Sequence, residues 1–388
     1  MATPLPPVDE PFAIRTLQDL VRINSVNPLL APGAPGEAAI AAHVAGVLAG
    51  LGMTVERHEP EPGRVSVVGR LRGSRPGRTL MLNAHVDTVA ADEMEAPFSG
   101  ELRDGRVHGR GAYDMKGGLA AMIAAVKALA DAGCPHGGEV LLAAVADEEY
   151  ASLGTADIAG KYRADGAIVT EPTALDLCLA HKGFAWIQVT THGRAAHGSR
   201  FDLGIDANMH MGRVLAGLDR LEQNLRQRTP HPLVGPPSLH AAIIAGGTGL
   251  STYAASCTLQ VERRTVPGEK TDRVLEEIED IVHRQAGRDP NFDAEMKVLL
   301  VRDPFEVAPD APIVRAACDA VREVRGHEPA IIGQTPWMDS ALLAAAGIET
   351  VILGASGAGA HAKEEWADAR SVADLARCLV GVALRYCG

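Results

Sequence analysis

The chain has 388 residues, 46% of them hydrophobic and 22% charged, with a formal net charge of −12. That length predicts two domains, or one large domain carrying an insertion, with ample material for a core. The acidic excess argues against nucleic acid as a partner, and no stretch approaches the ~20 apolar residues that span a bilayer.

The segment from Met1 to Pro11 holds several prolines, two acids and no basic cluster, which is unlike a secretory leader. The six cysteines are scattered without Cys-x-x-Cys spacing, so they read as reduced core residues of a cytoplasmic protein. Ala38 to Leu51 is Ala-rich and helix-like, and Thr79 to Ala84 (TLMLNA) reads as a buried strand. Gly117 to Ala132 has helical spacing and stops at Gly133, which suits a C-terminal cap. Val140 to Ala146 (VLLAAVA) and Ala167 to Thr170 are further strands. This alternation predicts an α/β catalytic domain, with a largely parallel sheet and helices on both faces.

The texture changes at about His181. Phe184 to Thr191 alternates like a strand, Asp206 to Leu225 like a helix, and Leu239 to Ala245 and Thr258 to Arg264 like strands again. Lys270 to Gln285 is helical and begins after Pro267-Gly268. The order predicts an inserted α+β domain of β-α-β-β-α-β type over 181–302, with one face covered by helices. The α/β texture resumes with a helix near Ile313 to Arg325 and a strand at Thr350 to Leu353. The larger domain is therefore discontinuous, over 1–180 and 303–388.

The residues able to bind metal fall just beyond predicted strands, where α/β proteins place their sites. His85 and Asp87 follow TLMLNA in AHVDTV, and Glu148 and Glu149 follow VLLAAVA in ADEEY. Glu171 follows AIV in TEPT, His361 follows VILG in GAGAHAKEEW, and Asp114 sits in the glycine-rich turn GRGAYDMKGG. Imidazole nitrogen and carboxylate oxygen both suit zinc. Buried carboxylates are costly unless paired or metal-bound, so a cluster of them at one sheet edge calls for cations.

From Ile23-Asn24-Ser25-Val26-Asn27-Pro28 through GRGAYDMKGG to His361, these phrases resemble the M20 family of metallopeptidases and deacylases. The resemblance implies two divalent ions, zinc foremost with cobalt or manganese as substitutes, bridged by Asp114. One ion takes His85 and Glu171, the other Glu149 and His361. Glu148 is then the general base, Asp87 orients His85, and the Asp114–Met115 peptide is cis. In the insert, His197 in GRAAHGSR corresponds to a histidine that reaches a partner subunit's site, which makes the insert a dimerisation domain. Arg264 in ERRTVPGE corresponds to an arginine that holds a substrate carboxylate, with Arg263 a competitor. His181, Asp339 and Glu365 lie in similar phrases without a role assigned.

The sequence departs from relatives before the arginine strand, where Ser251-Thr252-Tyr253-Ala254-Ala255 replaces Asn-Val-Val-Pro-Asp. The M28 aminopeptidases have a similar ligand order but lack the insert. DPFEV (Asp303 to Val307) and TPWMDS (Thr335 to Ser340) resemble the acetylornithine deacetylase and succinyl-diaminopimelate desuccinylase branch. The resemblance thus implies zinc-dependent hydrolysis of a small N-acyl amino acid. A dipeptidase or carboxypeptidase is the alternative, and a non-catalytic binding homologue a further one.

Overall fold

In the computed structural model, residues 5–92 and 94–388 are described. Met1 to Pro4, part of the start read above for a leader, lie outside the described residues. The described residues divide into two compact units: one within 5–179, 307–332 and 338–388, the other 180–306 with 333–337.

The larger unit is built on a sheet whose central strands run parallel, as expected: Gly137–Val145, Arg75–His85, Gly166–Val169 and Glu349–Ile352. Arg64–Arg72 pairs antiparallel with Gly137–Val145, and Thr54–Glu61 pairs antiparallel with Arg64–Arg72. The central strands are apolar and buried almost throughout, because helices cover both faces of a parallel sheet. In register, His85 lies opposite Val145, Asn83 opposite Val169, and Val169 opposite Ile352. The loops leaving these strands therefore start side by side.

Helix Gly117–Asp131 is buried on nearly every side, and Gly133 adopts the left-handed φ of 75° expected of its cap. A Cβ on Gly118 would lie 2.4 Å from the Thr170 carbonyl, so this helix approaches the sheet only because that residue is glycine. The proline-rich start conceals a helix, Glu10–Arg22, with the Asp9 carboxylate accepting the Phe12 N–H at 2.9 Å as its cap. The C-terminal helix Ala369–Tyr386, capped by Asp368, packs on helices Gly117–Asp131 and Pro312–Arg325.

A small antiparallel sheet joins Glu101–Arg103, Arg106–His108, Trp366–Asp368 and Gly357–Ala358. Its strands are two or three residues long, too short for hydrophobic periodicity to announce them. It pairs Trp366 with His108 and so brings the His361 segment to the Asp114 segment.

The smaller unit has four antiparallel strands in the order Ser238–Gly246, Ser256–Thr265, Gly183–His192, Asp293–Arg302. Helices Ala207–Gln227 and Thr271–Ala286 pack on one face around Ile187, Val189, Met211, Val214, Leu259 and Ile278. Ser256–Thr265 alternates buried and partly exposed residues, which is the period of a strand with one covered face. The edge strand Ser238–Gly246 leaves Ile243 61% and Ile244 53% exposed. Among the described residues no helix is long and apolar enough to cross a membrane, and all six cysteines are free thiols.

Candidate active site

Seven of the nine predicted site residues converge in the larger unit. His85 ends its strand, Glu148 and Glu149 follow Gly137–Val145, and Glu171 follows Gly166–Val169. Asp114 lies in the turn before helix Gly117–Asp131. His361 lies between the short strands Gly357–Ala358 and Trp366–Asp368, with a left-handed φ of 60°.

The two oxygens of Asp114 face two different imidazoles. Oδ1 is 3.1 Å from His85 Nε2 and Oδ2 is 3.3 Å from His361 Nε2. His85 Nε2 also faces Glu171 Oε1 at 3.6 Å, and His361 Nε2 faces Glu149 Oε2 at 3.1 Å. Donor atoms of His85, Glu148 and Glu171 lie within 4.8 Å of one another, as do those of His85, Asp114 and Glu149. The His85 side chain is 1% exposed and that of His361 54%, so the cluster opens on the His361 side.

Asp87 serves His85 through its carbonyl oxygen, 2.9 Å from Nδ1, while its Oδ1 is 3.6 Å away. A proton on Nδ1 shared with that carbonyl leaves the Nε2 lone pair facing the cluster. The carboxylate is engaged elsewhere: Oδ1 accepts the Glu148 N–H at 3.1 Å and Oδ2 the Glu149 N–H at 3.2 Å.

The electrostatics are those of an acidic cluster short of positive charge. Burial, then the neighbouring Glu171, pushes the Glu148 carboxyl well above its ordinary value. Burial, then Asp114, does the same to Glu171. Burial raises Glu149 as well. Burial opposes charge on His85, but Asp114, Glu171 and Glu148 outweigh it and hold that imidazole well above its usual pKa. Hydrogen bonds donated to the carboxylates of Asp114 and Glu149 push His361 up to about 10. Burial works against the Asp114 anion, yet both histidines hold it below the carboxylate range. Two imidazoles and at least three carboxylates, with one carboxylate shared between them, are a donor set that fits two divalent cations.

Two contributors carried no role in the sequence reading. Glu365 is 2% exposed and accepts from Arg110 Nη1 at 2.7 Å and from the N–H groups of Gly111, Tyr113 and Asp114 at 3.0 Å each. It thereby fastens the Asp114 turn to the His361 loop. Its signal was an acid four residues beyond His361. Asp339 is buried, accepts the Thr155 hydroxyl at 2.5 Å, and is pushed up to about 6 by burial. The Asp114–Met115 peptide is cis, as the resemblance implies.

His197 and Arg264 belong to the smaller unit. His197 is exposed, and its Nδ1 accepts the Ser199 N–H at 3.2 Å, which leaves the ring proton on Nε2 as an outward donor. Arg263 is fully buried, with Nη2 2.6 Å from Glu269 and 3.3 Å from Glu277. Arg264 is partly exposed, lies over the Phe184 ring and pairs with Glu262 at 2.5 Å. Of the two, only Arg264 has exposed surface.

Known proteins resemble this chain in sequence and in fold. N-formyl-4-amino-5-aminomethyl-2-methylpyrimidine deformylase of Bacillus subtilis is 28% identical over 92% of this chain and 91% of its own. Acetylornithine deacetylase of Myxococcus xanthus is 29% identical over 84% and 85%. A tripeptidase of Staphylococcus aureus superposes with a TM-score of 0.80 at 20% identity, over 97% of this chain and 98% of the other. Residues 81–385 match the sequence profile of Peptidase family M20/M25/M40. The chain belongs to that family, whose members hydrolyse amide bonds.

Proposed function

We propose that this protein is a zinc-dependent deacylase that hydrolyses the amide of a small N-acyl amino acid. The observation that carries the reading is Asp114, whose two oxygens face His85 and His361 separately. His85 with Glu171 would hold one ion and Glu149 with His361 the other, with Asp114 shared. When bound, the ions would supply Lewis acidity and lower the pKa of the attacking water. Glu148 takes the proton of the attacking water and returns it to the leaving nitrogen. Asp87 keeps the Glu148 and Glu149 main chain in place through its carboxylate and His85 through its carbonyl. His197 donates its Nε2 proton to the oxyanion that forms at the substrate carbonyl, and Arg264 receives the substrate carboxylate.

The two curated relatives favour deacylation over peptide cleavage, since their names describe removal of a formyl or an acetyl group. We read the protein as a cytoplasmic homodimer joined through the smaller unit, with His197 acting in the partner's site. The exposed Ile243 and Ile244 of the edge strand, and Met209 at 66% exposure on helix Ala207–Gln227, give a second copy a surface to cover.

The test is a panel of N-acetyl, N-formyl and N-succinyl amino acids and dipeptides, assayed with zinc or cobalt and after chelation. The expected result is cleavage of one N-acyl class, abolished by chelation and restored by metal. Faster cleavage of dipeptides would move the assignment to a peptidase. Full turnover by metal-free protein would end the mechanism.

A further inference from the structure

A buried polar assembly joins the cluster through the Asp87 carboxylate. Arg64, which begins the strand Arg64–Arg72, is 5% exposed; Asn27, Asp87 and Asp147 have no exposed surface. Arg64 Nη2 donates to Asp147 Oδ1 at 2.5 Å, and its Nη1 donates to Asn27 Oδ1 at 3.0 Å. The Asn27 amide passes the grip on, donating from Nδ2 to Asp147 Oδ1 at 3.0 Å and to Asp87 Oδ2 at 2.8 Å. Asn27 Oδ1 also accepts the Leu29 N–H at 3.0 Å, so every contact agrees with one orientation of the amide.

Both arms of this assembly end on one turn, Asp147 to Glu149. One arm runs from Asn27 through the Asp87 carboxylate to the N–H groups of Glu148 and Glu149. The other grips Asp147, the residue that precedes them. Asp147 has a left-handed φ of 71°, a conformation that residues with a Cβ rarely adopt unless their surroundings enforce it. Its carbonyl accepts the Ala151 N–H at 3.1 Å and the Ser152 N–H at 2.5 Å, so the chain turns sharply there. That turn sends the adjacent Glu148 and Glu149 side chains in different directions, one toward Glu171 and one toward His361.

We propose that Arg64 and Asn27 are positioning residues that hold the Asp147–Glu149 turn. Through it they set where the base and the neighbouring metal ligand stand. The inference rests on the roles given above to Glu148 and Glu149. Both side chains are buried, so they act through the turn. A planar guanidinium reaches Asn27 and Asp147 at once, which a lysine ammonium cannot do with the same geometry.

The experiment compares Arg64→Lys and Asn27→Ser with wild type by kcat, KM, unfolding midpoint and zinc affinity, the last from competition with a chelator. Arg64→Lys keeps the buried positive charge. Asn27→Ser removes no charge and leaves the Arg64–Asp147 pair intact, so it tests the idea even where the first variant folds poorly. For both, kcat should fall about 100-fold with KM changed less than about threefold, the signature of misplaced groups. Zinc should bind about 10- to 100-fold less tightly, as when a partner behind a ligand is lost. Wild-type kcat and zinc affinity in a folded Asn27→Ser protein would overturn the proposal. So would a kcat loss that merely follows the fraction unfolded. Wild type that binds no zinc, or works without it, would instead overturn the metal reading.

Discussion

Glu365 Oε1 accepts the backbone N–H of Asp114 at 3.0 Å, so a carboxylate from the His361 loop holds the residue placed to bridge the site. Its other oxygen pairs with the buried Arg110. Glu365→Ala leaves Arg110 Nη1 and three N–H groups without their acceptor, while Arg110 keeps the carbonyls of Ala90 and Ala362. The expected loss is about 3–5 kcal/mol, as for other broken buried pairs, read from denaturant unfolding. A loss under about 1 kcal/mol would show that water replaces the carboxylate at no cost.

Glu148 and Glu149 are neighbours with different expected tasks. Glu148→Ala should keep two zinc ions per chain and lose at least about 10²–10⁴ in kcat, the usual contribution of a general base. Glu149→Ala should lose zinc as well, because its carboxylate faces His361. Metal analysis beside single-turnover rates separates them, and the reverse pattern would exchange their roles.

Arg263 and Arg264 should separate stability from binding. Arg263→Ala takes a buried guanidinium from Glu269 and Glu277, which keep Arg228, and should cost about 1.5–3 kcal/mol in unfolding experiments. Arg264→Ala should leave the unfolding midpoint near wild type. It should raise KM about 10- to 100-fold for substrates with a free carboxylate, the value of a charge-assisted hydrogen bond. An unchanged KM would release Arg264 from substrate binding.

Glu37 has no exposed surface and faces Arg64 Nη2 at 2.7 Å, yet burial, reinforced by Asp87, pushes its carboxyl from 4.5 up to about 7. Between those values the folded chain holds a proton that the unfolded chain has lost. This contribution is therefore present below pH 4.5 and is lost as the pH rises through 7. The shift corresponds to about 3 kcal/mol. Glu37→Gln imitates the protonated form, so it should match wild type near pH 5 and be the more stable protein at pH 8. Parallel stability curves for the two would mean that Glu37 stays ionised.

Subunit mixing tests His197. His197→Ala lacks the donor in both sites of its homodimer, and Glu148→Ala lacks the base in both. In a mixed dimer, the His197→Ala subunit keeps its own Glu148 and borrows the partner's intact donor. Random reassortment should return about a quarter of wild-type activity under two-fold symmetry. Confirmed reassortment without recovery would place the action of His197 within its own chain or nowhere.

The amino-acid sequence was enough to locate the strands that end in His85, before Glu148 and before Glu171. Long apolar runs in a parallel sheet carry a strong local signal. It also contained the helix and strand order of the smaller unit, where one covered face imposes a period of two on Ser256–Thr265. Helix Glu10–Arg22 escaped notice because the prolines before it dominate the local composition. The strands around His361 are too short to have any period.

What periodicity could not reach, the tertiary structure decided. Arg263 and Arg264 are adjacent on one strand and so point to opposite faces, and only the placement of the helices tells which face is buried. That Asp87 supports the Glu148–Glu149 main chain, and that Arg64 grips Asp147 across 83 positions, follows from chain closure. The composition of the site was therefore a local property, written at strand ends by residue type. The pairing of its atoms was not, because hydrogen bonds between distant segments exist only once the sheet has set those segments side by side.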